Sequence, residues 1–128
     1  MTFEEWIEAY GRAWREKDAT AAASLFTDTA VYRSHPLREP HIGTDAIHAY
    51  WSRATQDQDE FELRFGAPIV AGDRAAVEWW ALMRVDGEDV TLPGILYLRF
   101  APDGRCEELR EAWHLEDGRH PPPPGWGV

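Results

Sequence analysis

Apolar residues near the N-terminus return at three- and four-residue spacing: Phe3, Trp6, Ile7, Tyr10 and Trp14. That interval places them on one face of a helix, and Thr2 with Glu5 forms a capping-box pattern at its start. The helix is expected to run to about Lys17. Asp18 then caps a second, shorter helix, ATAAASLF, whose small residues permit close packing. A short strand is expected over Ala30 to Ser34, followed by a loop in which Pro36 and Pro40 forbid regular structure between them. Past Gly43, Thr44 or Asp45 can cap a third helix, DAIHAYWSRA.

The period then changes from helical to alternating. Phe61, Leu63 and Phe65 alternate with polar residues, and the turn signals AGDR, DGED and APDGR separate three further strand-like runs, so a four-strand antiparallel meander is expected. From Arg74 to Val85 one face carries Val77, Trp79, Ala81, Met83 and Val85, and the other Glu78, Trp80, Leu82 and Arg84. The wholly apolar set should face the core. Trp80 and Leu82 are then left outside among charges, a patch that predicts a homodimer through the outer sheet face together with Tyr97. The next run sets Leu92, Gly94, Leu96, Leu98 and Phe100 inward, and the last sets Leu109, Glu111, Trp113 and Leu115 inward against Arg110, Ala112 and His114. One domain over 1–117 follows, with a proline-rich tail over 118–128. The four consecutive prolines of that tail favour an extended polyproline segment, either disordered or laid over an edge or cavity mouth and pinned by Trp126.

Composition narrows the partners. With 23 acidic and 13 basic residues the formal charge is -10, which repels phosphate backbones and anionic surfaces, so neither nucleic acid nor membrane is an expected partner. No apolar run approaches the ~18 residues of a membrane span, and acids stand where a secretory signal would carry bases. A soluble, cytoplasmic protein is expected. The single Cys106 cannot form an internal disulfide. Seven tryptophans exceed what so small a core needs, so some should line a cavity or an interface. Trp14, Tyr32, Trp51, Trp79 and Trp113, with Leu96, are the expected ligand-binding set; core packing explains the same rings, and a cone wall can serve both purposes.

Two side chains carry candidate chemistry on their own pattern. Glu111 is the one acid on an otherwise apolar strand face, where burial would raise its pKa toward a useful acid/base value; the alternative is an ion pair at a wet mouth. His35 ends the short strand in VYRSHPLREPHIG, and an imidazole there suits general acid/base work if its ring turns inward; otherwise it anchors the loop. His35, Glu39 and His41 match no common metal-binding spacing, so no metal is expected.

The texts AWREKDATAAASLFTDTAVY, HIGTDAIHAYW and DGRCEELREAWH, in this order of elements, resemble the nuclear transport factor 2-like superfamily, and its SnoaL-like branch in particular, over nearly the whole chain. The resemblance implies an α+β fold: a cystatin-like cone in which three N-terminal helices pack in a strongly curved, mainly antiparallel sheet around a ligand-holding interior. Laid on ketosteroid isomerase, the oxyanion-binding tyrosine falls on Tyr10, while its catalytic acid falls on Ser34 and its second oxyanion-hole acid on Leu96. The isomerase mechanism is therefore not carried over intact. The acid of SnoaL-type cyclases matches Asp117. Scytalone dehydratase and limonene epoxide hydrolase arrangements find no matching set.

Together these readings imply a cofactor-independent isomerase, cyclase or dehydratase (lyase) acting on a small hydrophobic, cyclic or polyketide-like molecule. His35 and Glu111 would move protons, Tyr10 would donate to a carbonyl or developing oxyanion, and Ser34 and Asp117 stand behind them. The alternatives are a non-catalytic pocket and a dimerising interaction domain.

Overall fold

The computed structural model describes all of residues 1–128. Helix α1, Phe3–Arg15, opens on the expected box: the Glu5 backbone N–H donates to Thr2 Oγ1 at 3.1 Å, and the Thr2 N–H to Glu5 Oε1 at 2.7 Å. It stops two residues short of Lys17. Lys17 N–H donates to the Trp14 carbonyl and Asp18 N–H to that of Ala13, with Lys17 at φ 55°, so a left-handed residue closes the helix by a Schellman pattern. Helix α2 is confined to Ala19–Ala23 behind its Asp18 cap. Leu25 and Phe26 were expected in that helix, but the Leu25 carbonyl accepts from Cys106 N–H and Phe26 pairs with Cys106. Sheet hydrogen bonding at long range thus ends the helix early.

Strand β1 accordingly begins at Phe26 rather than Ala30 and runs Phe26–Arg33, leaving Ser34 and His35 just beyond its end. Regular structure resumes after Pro40 in a two-residue strand, β2, His41–Ile42, which sequence reading missed; it pairs back on Tyr32 and Val31. Helix α3, Thr44–Thr55, starts from Gly43 at φ 86° with no side-chain cap, so neither Thr44 nor Asp45 fills that role.

The meander forms as expected: β3 (Gln58–Phe65), β5 (Arg74–Val85), β6 (Glu88–Phe100) and β7 (Cys106–Trp113), with short strands β4 (Ile69–Ala71) on β5 and β8 (Glu116–Asp117) on β6. A parallel β1–β7 pair extends the sheet, so its order is β2-β1-β7-β6-β5-β3. The β5–β6 turn is Asp86-Gly87, both at positive φ, as a two-residue hairpin turn requires. Register shifts in β1 and β3 add the local bending that curves the sheet.

Strand parity is as read from the chain. Val77, Trp79, Ala81, Met83, Leu96, Leu98 and Leu109 are buried together with Trp6, Tyr10 and Trp14 of α1, so the concave face holds the core. The outer face departs from expectation, because Leu82 is only 8% exposed. The 118–128 segment crosses it as a strap. Its His120 N–H donates to Thr91 Oγ1 (3.0 Å), its His120 carbonyl accepts from Trp80 Nε1 (2.8 Å), and its Gly127 carbonyl accepts from Ala67 N–H (2.7 Å). Trp126 sets its ring edge-to-face with Trp80 and lies under the Arg64 guanidinium. The tail is therefore pinned by Trp126 as one alternative foresaw, over the Trp80 and Leu82 face and away from the cavity mouth. Tyr97, further along that face, lies beneath Arg110. No helix is long and apolar enough to cross a membrane.

Candidate active site

Four elements bring their side chains to one point inside the cone. Alternation on β7 turns Glu111 inward between buried Leu109 and the rim residue Trp113, opposite Leu96 of β6. Helix α1 contributes Tyr10, β1 contributes Tyr32 and α3 contributes Tyr50. All four side chains line a cavity of about 280 Å³, whose walls include Trp14, Trp51 and Trp79.

The tryptophan wall depends on a missing side chain. Gly94 faces Trp79 across the β5–β6 ladder, and a Cβ there would overlap the indole ring. Glycine at this inner position lets Trp79 lie against the strand. Trp14 meets Trp51 at 82° and Trp79 at 69°, so the rings form an angled wall.

Electrostatics single out Glu111. It makes no ion pair and no side-chain hydrogen bond, although its neighbours offer three phenols. The residue is half-buried in the cavity wall, and burial pushes its pKa up to about 8. Tyr10 and Tyr32 are held well above the ordinary phenol value, chiefly by burial and further by negative charge on Glu111. Tyr50 is pushed up to about 12 by the same two causes. All three remain neutral donors near pH 7 and cannot act as bases. The Tyr10 and Tyr32 hydroxyls lie 3.1 Å apart; whichever donates, the other keeps its proton free, so the pair offers one hydrogen to a ligand.

His35, Ser34, Asp117 and Leu96 do not line the cavity, although the Ser34 side chain reaches Tyr50. His35 does not line the cavity: its Nδ1 accepts the Leu37 N–H at 3.1 Å and its ring edge stands on Trp113, the loop-anchoring alternative. The Ser34 carbonyl accepts from Trp113 Nε1 at 2.7 Å, and the Ser34 side chain lines a shallow outer depression with Arg38, His41 and Arg53, behind Tyr50. Asp117 leaves the inner face altogether. It sits exposed in β8 opposite Val90, and its carbonyl accepts from His120 Nε2. Leu96 is fully buried beside Glu111 without lining the cavity. His35, Glu39 and His41 do not gather into a three-ligand group. Instead His41 stacks on Tyr50 with ring centroids 4.4 Å apart.

Tyr50 is the site residue that sequence reading missed. Its signal lay in the spacing of Ile47, Tyr50 and Trp51, which shows that α3 turns this stretch toward the core.

The SnoaL-like domain family matches residues 7–109. Among solved structures, the epoxide hydrolase/cyclase-like enzyme SalBIII, of pyran ring formation in polyether salinomycin, is 20% identical with a TM-score of 0.75, covering 87% of this chain and 89% of its own. A hypothetical protein of ketosteroid isomerase-like fold from Catenulispora acidiphila, in complex with trimethylamine, is 18% identical with a TM-score of 0.77, covering 87% and 86%. A SnoaL-like polyketide cyclase from Shewanella denitrificans, described as putative in that structure, is 20% identical with a TM-score of 0.75, covering 87% and 89%. At these identities the likeness establishes the fold. No curated protein matches in sequence.

Proposed function

This chain belongs to the SnoaL-like domain family, and on that premise we propose that it is a cofactor-independent acid/base enzyme whose proton carrier is Glu111. The observation that carries the reading is a carboxyl on the wall of an aromatic cavity, with no charge partner and a pKa raised by burial to about 8. Such a group is mostly protonated at pH 7, with roughly a tenth ionised. Either proton donation or proton removal is therefore open to it near neutrality.

The free hydrogen of the Tyr10–Tyr32 pair supports the oxygen on which charge develops, and Tyr50 closes the same side. Proton transfer rests on Glu111 alone, since His35 is held outside the cavity by its loop. An aromatic cavity of about 280 Å³ suits a small, hydrophobic ring-bearing substrate, and isomerisation, ring closure or elimination each needs only these groups.

The test has two parts. Carbon-13 NMR of labelled glutamate should show Glu111 titrating near 8. A panel of small cyclic ketones and enones in D2O should show α-hydrogen exchange that falls at least about a hundredfold in Glu111→Gln. Titration of Glu111 in the ordinary carboxylate range, or exchange that survives in the variant, would sink the assignment.

A further inference from the structure

The cavity's walls supply acids and rings but no base. Glu111 and Asp57 line it, whereas no Lys, Arg or His does, and the whole chain carries a formal charge of -10. An anionic ligand would find phenol and indole donors there but two carboxyls and no cationic side chain. A neutral ligand leaves Glu111 mostly protonated near pH 7, whereas a cation beside it favours the ionised form. Trp14, Trp51 and Trp79 all line the cavity, and aromatic rings at its wall attract a cation placed against them. Across from Glu111, the only titratable groups that α1, β1 and α3 contribute are the neutral phenols Tyr10, Tyr32 and Tyr50, and β6 contributes Leu96.

We propose that the cavity takes the alkylated ammonium head of a small organic cation, seated among Trp14, Trp51 and Trp79 with its charge against Glu111. The inference deepens the preceding one, resting on Glu111 as the working group and naming the substrate class of the same site. Docking such a head supplies the counter-charge the pocket lacks. It also holds Glu111 ionised and so ready to accept a proton from the substrate's carbon. Because burial otherwise keeps that carboxyl protonated up to a pH of about 8, binding at neutral pH expels its proton to solvent.

The test compares choline and tetramethylammonium with 3,3-dimethyl-1-butanol, the uncharged carbon analogue of choline, by calorimetry on the full chain. The cations should bind at least about tenfold tighter than the alcohol. Their affinity should climb about tenfold per pH unit from pH 6 and level off above pH 8. Glu111→Gln, shown folded by circular dichroism, should abolish the climb while leaving the alcohol unaffected, and Trp14→Leu should weaken the cations more than the alcohol.

Equal or tighter binding of the alcohol, or cation affinity flat with pH, overturns the proposal. If cations fail while Glu111 still titrates near 8 and still governs α-hydrogen exchange, only the ammonium assignment falls. Ordinary titration of Glu111 removes both readings.

Discussion

At the scale of single residues, Glu111 works against the fold that holds it. Its pKa rises from 4.5 in the open chain to about 8 in the cavity, through burial. Between those values the folded chain retains a proton that the unfolded chain has released, so stability falls as pH climbs through this window and stays low above it. Glu111→Gln removes the penalty. The variant should match the parent near pH 4 and exceed it by roughly 5 kcal/mol near pH 9, read from urea unfolding at both values. A variant equally stable or less stable at pH 9 would mean that the carboxyl is better solvated than its position implies. Its inward position was legible beforehand because one acid on an apolar strand face is conspicuous. Tyr50 was not, since a polar-tipped ring beside Trp51 reads as ordinary helix amphipathicity until β7 is placed opposite.

At the scale of elements, the cavity's shape rests on how β5 meets β6. Gly94 leaves the space that the Trp79 indole fills, and the register places them face to face. Gly94→Ala should push Trp79 from its seat, costing roughly 1–3 kcal/mol of stability and shifting tryptophan fluorescence. Unchanged emission and stability would show that the ring has slack to give. The alternation placing Leu92, Leu96 and Leu98 inward was readable, because strand parity is local and strict. The true end of α2 was not, since Leu25 and Phe26 are helix-compatible and only the pairing with Cys106 draws them into β1. His35 belongs to the same class: its ring direction is set by the turn that gives Leu37 N–H to Nδ1.

For the whole molecule, the strap over the outer sheet face decides which surface meets solvent. Trp80 and Leu82 were expected at a subunit contact, and the chain's own Trp126 and His120 lie against Trp80, with Leu82 buried. Ending the chain after Asp117 should lower the melting temperature and expose Trp80, with stronger concentration-dependent association in sedimentation runs than the full chain. A truncated chain that stays monomeric and equally stable would reduce the strap to decoration. The sequence by itself determined the order of elements, the inward and outward faces of each strand, and that Glu111 is the acid on an apolar inner face. These depend on periods of two and 3.6 that operate within a single segment. Only the tertiary structure decided that three phenols surround Glu111, that His35 and Asp117 lie elsewhere, and that the tail lies across the sheet. Each of those outcomes depends on residues far apart in the chain meeting across packed elements, and no local period encodes such meetings.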